Sequence, residues 1–455
     1  MQSSYDAEKQ QLLLRCRQEV AGSALPLVVP LCLGLLSAHG RDMKVSCDRQ
    51  HSRATAHEAG DDRHDLLLIL DSAETSFVID GVLERPVVTY LRGLSAPVRL
   101  HMQRSLQDLS LLAAHDCDGV SRWFAVQELW NLCFFSNQSE RPMSVAAISA
   151  AFTAIAVQAF EANSKGNSGS DKLWMFARLC AAPTLPFMMQ QQAVQTPHTL
   201  WALHRTICCE IAVQTQDIIQ QLLFDGTPSL DSIRWRKAVT QCSARASSPE
   251  EMAQRAAFDA GMHLLCCARG DVATRALQLS KDLVLSPSHP MTCRMAALQR
   301  LLQSDSECAR DMRLSASQAF FREWQGNELV LQSWMAAHAG SGASDTLQRV
   351  HDIYDSSCFR LDVPNDVYAL LVTFARSSPC QFYSTAGLAL VVDAVLLLDK
   401  SNPQVAARLV RCFSDVHSLC AQECAGAVDS VRRIAAAAVS PDVKELCSRI
   451  LDAAA

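Results

Sequence analysis

Asn402-Pro403-Gln404-Val405-Ala406-Ala407-Arg408-Leu409 spells out a helix start. Asn402 carries a side chain able to cap an orphaned backbone N–H. Pro403 follows at a position where a missing N–H costs nothing, and Val405, Leu409 and Phe413 recur at helical spacing. The same 3.6-residue period runs through nearly everything from Ser105 onward. Val367, Leu370, Leu371 and Phe374 form one apolar stripe; Met252, Ala256, Asp259 and His263 trace a less apolar one. Breaks fall at 163–170, Pro183 to Pro186, Thr227-Pro228, Ser286 to Pro290 and Ala339 to Ser344. That punctuation predicts many helices of roughly one to two dozen residues joined by short loops, which build stacked helical hairpins more readily than a four-helix bundle. No strict sequence period accompanies them, so the repeat is architectural.

Residues 1–100 read differently. Short apolar runs, Leu27 to Leu36, Leu66 to Leu70, Phe77 to Ile79 and Pro86 to Tyr90, are bounded by turn residues such as Asp80-Gly81. Segments of that length and spacing predict a small antiparallel β-sandwich. Asp6 to Val20 is ambiguous: it contains good helix formers, yet Leu12, Leu14 and Cys16 alternate with Leu13, Arg15 and Arg17 as in a strand. Residues 48–65 are polar and charged and read as a solvated hairpin loop or insertion. The expected architecture is mainly α: a small β-sandwich over 1–100, then a large α-helical superhelix, an α-solenoid, over 101–455.

Composition narrows the function classes. Across 455 residues, 49% are apolar and 19% charged, which excludes wholesale disorder; the low counts of 17 Gly and 16 Pro favour helix. A formal net charge of −6, with Lys and Arg scattered, argues against nucleic-acid binding. The N-terminus lacks a charged-then-apolar leader. The longest apolar run, Leu25 to Leu36, contains Pro26 and Pro30 and is too short to span a bilayer. A soluble, cytoplasmic protein without membrane contact is expected. The 19 cysteines are odd in number and spread along helical text, often on apolar faces, as at Cys16, Cys32, Cys266 and Cys412. They read as small buried thiols rather than a disulfide framework.

Catalytic signatures do not assemble. His57-Glu58 is the one His-Glu pair, and a zincin needs a second His three residues after the Glu; that position is Asp61. His417, Cys420 and Cys424 share a helical face as three soft donors without a fourth, a pattern that core packing explains better than metal. The adjacent pairs Cys208-Cys209 and Cys266-Cys267 point to different faces of a helix and read as buried thiols rather than redox groups. Neither a Gly-x-Ser-x-Gly elbow nor a phosphate loop occurs.

Several blocks, in order, resemble the aminopeptidase N (alanyl aminopeptidase) family of zinc metallopeptidases. Leu27-Val28-Val29-Pro30-Leu31 through Gly34-Leu35-Leu36, then Gly40-Arg41, resemble its sandwich entry. Arg92-Gly93-Leu94-Ser95-Ala96-Pro97-Val98 resembles its domain junction "R-G-F-S-A-P-V". Ala114-His115-Asp116 with Arg122-Trp123 resembles "A-H-D-x-D-x-x-x-R-W". Met291-Thr292-Cys293-Arg294-Met295-Ala296-Ala297-Leu298 is similar to "M-T-D-R-M-A-A-L", and Asn402 to Leu409 matches "N-P-Q-V-A-A-R-L". The match covers the family's third domain, Ig-like, and its fourth, a helical superhelix. It also favours a strand after the Tyr5-Asp6 start.

The resemblance implies a lid: in the family the fourth domain caps the catalytic domain and encloses a chamber that admits short peptides. Arginines from it meet the carboxylate end of the peptide, and Arg408 stands at one such position. A planar, permanently charged fork suits a carboxylate; the bland alternative is a salt bridge between neighbouring helices. Two departures weaken a working channel. The family's "N-P-N-R-x-R" is represented by Val363-Pro364-Asn365-Asp366-Val367-Tyr368, so Asp366 and Tyr368 replace arginines, and its "G-S-G-Y" loop is reduced to Thr385-Ala386-Gly387-Leu388.

Neither the zinc motif nor the amine-anchoring "G-A-M-E-N" is present. The chain is therefore expected to bind no cofactor itself, zinc belonging to the parent enzyme, to hold no catalytic residue and to be inactive alone. Its expected partners are an aminopeptidase catalytic domain and, in the parent enzyme, short peptides. The alternative is a solenoid scaffold that binds another protein without peptidase activity.

Overall fold

The computed structural model describes residues 1–20, 22, 25–44, 54–58, 64–164, 169–190, 196–241 and 247–454. Two compact units follow one another, Met1–Cys180 and Ala181–Ala455.

In the first unit, seven strands among the described residues form two antiparallel sheets. β1 (Gln2–Asp6), β2 (Gln11–Arg17) and β6 (Glu74–Ile79) make one, in the order β1-β2-β6. The other has the order β4-β5-β3-β7, from β3 (Val29–Leu36), β4 (Ala54–Glu58), β5 (His64–Leu70) and β7 (Val87–Tyr90). Alternation decides the ambiguous stretch: Leu12, Leu14 and Cys16 are buried while Arg15 and Arg17 face out, so it is β2, in register with β6 through Leu14 opposite Phe77. Leu31, Leu33, Leu66 and Leu68 from the second sheet complete the core.

One expectation needs correcting. Within the polar segment 48–65, Ala54–Glu58 is a strand, β4, paired antiparallel to β5, and His64 and Asp65 belong to β5 itself. β4 occupies a sheet edge, where pairing needs no apolar face, so its composition carried no strand signal. The rest of that segment, Asp61 included, lies largely outside the described residues.

Two resemblance blocks meet at a buried hub. Arg92 follows Leu91 in left-handed conformation (φ 57°), which turns its side chain inward. The fully buried guanidinium pairs with Asp42 (2.7 Å), Asp65 (3.0 Å) and Asp116 (3.0 Å). Burial opposes its charge, but the hydrogen bonds to Asp42 and the Asp116 and Asp42 charges prevail and raise its pKa. A Cβ at Gly34 would lie 2.0 Å from Arg92 Cζ, so glycine there makes room for the guanidinium.

Among the described residues, four α-helices follow in this unit: α1 (Leu106–His115), α2 (Gly119–Phe135), α3 (Arg141–Ser164) and α4 (Ser170–Leu179). Ser105 caps α1 through Asp108 N–H; Asp118 caps α2 through Val120 and Ser121. Arg122 is buried and donates to the carbonyls of Ala113 and Ala114, closing the end of α1. α3 is long and apolar enough to cross a membrane by length and composition, whereas the run Leu25 to Leu36 is not. It packs on α1, α2 and α4 and buries Val145, Ile148, Phe152 and Ile155.

The second unit is helical: α5 (Leu185–Met189), α6 (Pro197–Leu223), α7 (Arg236–Thr240), α8 (Pro249–Cys267), α9 (Gly270–Leu285), α10 (Met291–Gln303), α11 (Glu307–Trp324), α12 (Glu328–Ala339), α13 (Thr346–Tyr354), α14 (Pro364–Val367), α15 (Thr373–Ser377), α16 (Pro379–Phe382), α17 (Thr385–Ser401), α18 (Pro403–Val410), α19 (Ala421–Ala437) and α20 (Pro441–Ala454). Each long helix packs on near neighbours in sequence, α8 on α6 and α9, α10 on α9 and α12, α17 on α18 and α19, the stacked-hairpin arrangement of a solenoid. Buried Arg294 ties three helices: it donates Nε–H to the Val284 carbonyl (3.0 Å), binds Glu323 through both terminal nitrogens and lies 5.3 Å over the Phe320 ring.

Candidate functional site

The chain reverses at Asn402. Its N–H closes α17 on the Leu398 carbonyl, while its side chain accepts from Val405 N–H at 3.3 Å and opens α18. Val405, Leu409 and Phe413 are buried, as the spacing predicts. Arg408 is exposed.

No salt bridge holds Arg408 among the described residues. Its guanidinium instead lies 4.6 Å over the ring of Tyr368, which begins a π-helical turn, Tyr368–Val372, between α14 and α15. Both sequence departures thus acquire structural roles. Tyr368 serves as a platform for Arg408. Asp366 is buried, accepts from Gln332 Nε2 (2.9 Å) and Arg360 Nε (3.3 Å), and stays in the packing rather than at the surface. Residues 385–388 are not a loop but the first turn of α17: Ser384 caps the helix through Gly387 N–H, and a Cβ at Gly387 would lie 2.1 Å from the Gln381 carbonyl oxygen.

Next to Arg408 opens a cleft of about 740 Å³ whose lining includes Arg376, Tyr383, Arg411, Cys412, Asp415 and His417. Cys412 ties it to Arg408: burial pushes its thiol up to about 11, against the opposing pull of Arg376 and Arg408. Arg376 and Arg411 are exposed and, like Arg408, form no ion pair among the described residues. Sequence reasoning found neither. Arg411 follows Arg408 by one helical turn, a weak signal; Arg376 arrives only through folding.

The other candidates separate. His417 lies in a short 3-10 turn, Val416–Ser418, whereas Leu419 and Cys420 are extended and Cys420 is the residue before α19. His417, Cys420 and Cys424 therefore do not share one helical face, because the chain straightens between them. Cys420 bonds Glu423. His57-Glu58 ends a strand, so the helical i, i+4 ligand spacing of a zincin is not available there. No group of three His, Cys, Asp or Glu among the described residues is placed to hold a metal ion. Every described cysteine is a free thiol; Cys16 and Cys412 are buried, Cys32 and Cys266 half-buried.

Comparison with known proteins agrees with this architecture. A family model described as a domain of unknown function (DUF3458_C) of ARM repeats matches residues 106–452; one described as a domain of unknown function (DUF3458) with an Ig-like fold matches residues 1–103. The chain is 25% identical over 428 residues to aminopeptidase N of Escherichia coli, covering 90% of this chain and 43% of that protein. It is 27% identical over 354 residues to aminopeptidase N of Caulobacter vibrioides, covering 76% and 37%. The crystal structure of Legionella pneumophila aminopeptidase A in complex with aspartic acid superposes with a TM-score of 0.74 at 23% identity, covering 99% of this chain and 48% of that one; the likeness there is one of fold. The chain spans less than half the length of these relatives. With both family models matched in order along its length, the chain belongs to the aminopeptidase N family, as the Ig-like and ARM-repeat part of its C-terminal region.

Proposed function

We propose that this chain acts as the non-catalytic part of an aminopeptidase N-type zinc peptidase, with the helical region 101–455 capping the active-site chamber and helping to admit short peptides. The parent activity in this reading is removal of N-terminal residues such as Ala, with zinc polarising the scissile carbonyl in a catalytic domain and a cytoplasmic setting. The observation that carries the reading is exposed Arg408, held over the Tyr368 ring, with Arg376 and Arg411 lining the neighbouring cleft; none of the three forms an ion pair among the described residues. Guanidinium edges offer paired N–H donors to the carboxylate that ends every peptide.

The test compares trialanine with its C-terminal amide by saturation-transfer NMR on the full chain. The free acid is expected to bind measurably more tightly, and Arg408→Ala to erase the difference. Equal binding of acid and amide by the unmodified chain overturns the carboxylate role. Separately, zinc-supplemented protein should leave alanine-p-nitroanilide intact; chelator-sensitive turnover would refute the non-catalytic assignment.

A further inference from the structure

A second cleft, of about 680 Å³, lies elsewhere in the helical unit and has a different chemistry. It is walled by α6, α8, the start of α9 and the end of α10, and five cysteines line it. Adjacent cysteines on a helix diverge, and here the divergence sorts them. Cys208 is buried and its thiol contacts His204 Nε2 at 3.6 Å. Its neighbour Cys209 is half-buried, and Arg269 donates Nε–H to its sulfur at 3.2 Å. Across the α6–α8 contact stands Cys267, also half-buried, close enough that charge on Cys209 opposes ionisation of its own thiol. Arg205, Arg269 and Arg300 line the cleft; Arg205 pairs with Asp305 and Arg300 with Asp259, which leaves Arg269 as the cation without a carboxylate partner among the described residues.

We propose that Cys209 and Cys267 form a thiol-exchange site for small disulfides of acidic thiols, with Cys209 the attacking sulfur, Cys267 the resolving one and Arg269 the cation beside the reacting sulfur. The two thiols belong to neighbouring helices that already pack, as a bridge requires. Arg269, exposed at the cleft beside Cys209, suits a ligand that carries a carboxylate next to its sulfur, and the cleft volume admits a molecule of peptide size. Metal binding is the competing use of such thiols, but no three donors among the described residues are placed for it.

The exchange balances without another reactant. Cys209 thiolate attacks one sulfur of RS–SR, an S–S bond breaks, and RS⁻ leaves as Cys209–S–SR forms. Cys267 then attacks Cys209 sulfur and expels the second RS⁻; the two protons of the protein thiols end on two RSH. Two protein thiols are oxidised by two electrons, and one small disulfide is reduced to two thiols. Burial pushes the Cys267 thiol up to about 12, which keeps it out of the first step; in the second step the RS⁻ released by the first accepts the Cys267 proton as its sulfur attacks.

The probe is oxidised glutathione applied to the full chain, read by peptide mapping after alkylation of free thiols. A Cys209–Cys267 bridge is expected in the native protein. Cys267→Ser should trap glutathione on Cys209, Cys209→Ser should leave Cys267 reduced, and Arg269→Gln should slow the first step about tenfold at neutral pH. Circular dichroism confirms that each variant is folded. A native protein whose Cys209 stays reduced while exposed Cys117, outside the cleft, takes the glutathione overturns the proposal, as does trapping on Cys209 with no bridge to Cys267 in the unmodified chain.

Discussion

Replacing Arg92 with Met tests whether the resemblance block at the sandwich–helix junction is structural. Arg92 is fully buried against Asp42, Asp65 and Asp116, whose side chains are 4%, 11% and 0% exposed. Met fills part of the volume but leaves three carboxylates with no cation, and removing one partner of a buried ion pair costs about 3–5 kcal/mol. At about 2–4 °C per kcal/mol for a unit of this size, the first unit should melt roughly 10 °C lower.

The pH dependence carries a sign as well. In the native protein the Asp42 pKa is lowered by Arg92 in spite of burial, so its contribution is present above the unfolded carboxylate range and is lost as pH falls through the folded pKa. In the variant, burial acts without Arg92: it raises the Asp42 pKa above its unfolded value and lifts further that of Asp116, which burial already raises in the native protein. Folded protein then binds more protons than unfolded, and stability falls as pH rises from about 4 to 7. Urea titrations at pH 5 and pH 7.5, followed by tryptophan fluorescence, measure both effects. A loss below about 1 kcal/mol, or a variant profile parallel to the native one, refutes the reasoning.

Two further outcomes are expected. His204 is buried and burial, with His263 nearby, pushes it down to about 4, so the unfolded state binds more protons as pH drops below 6.5. Stability should fall by about 2 kcal/mol between pH 7 and pH 5 from this group alone, and His204→Gln should flatten the slope of Tm against pH by that share; an unchanged slope refutes it. Gly387→Ala forces a Cβ against the Gln381 carbonyl and should cost about 1–3 kcal/mol, measured by urea unfolding, whereas Gly426→Ala on α19, where the nearest atom would be 3.6 Å away, should be tolerated.

What was legible in the sequence was local or periodic. The Asn402 cap, the buried stripe from Val367 to Phe374 and the alternation at Leu12, Leu14 and Cys16 are each set by neighbours a few residues away. β4 was hidden because an edge strand needs only backbone pairing. The His417–Cys424 face failed for the opposite reason: period was extrapolated across Leu419 and Cys420, where the backbone extends. At the candidate site, Arg408 was found through resemblance and Arg411 follows it by one turn, whereas Arg376 reaches the cleft only after the chain has turned from α15 through α16 and α17. No local pattern encodes such a meeting.

The two replaced arginines do not weaken the site equally. Asp366 turns inward, held by Gln332 and Arg360, and contributes no negative charge to an open surface. Tyr368 removes a cation yet places its ring beneath Arg408 at 4.6 Å. A guanidinium above a ring keeps its N–H donors at its edges, where a carboxylate engages them, and it loses less rotamer freedom on binding than a free-swinging arginine. Tyr368 therefore exchanges one charge for preorganisation of another, while Arg376 and Arg411 keep the neighbouring cleft cationic. On that account Tyr368→Ala should weaken recognition of a peptide carboxylate nearly as much as Arg408→Ala does, although it removes no charge. Screening by salt separates the two: the Arg408 variant should be less salt-sensitive than the native chain, and the Tyr368 variant should match it.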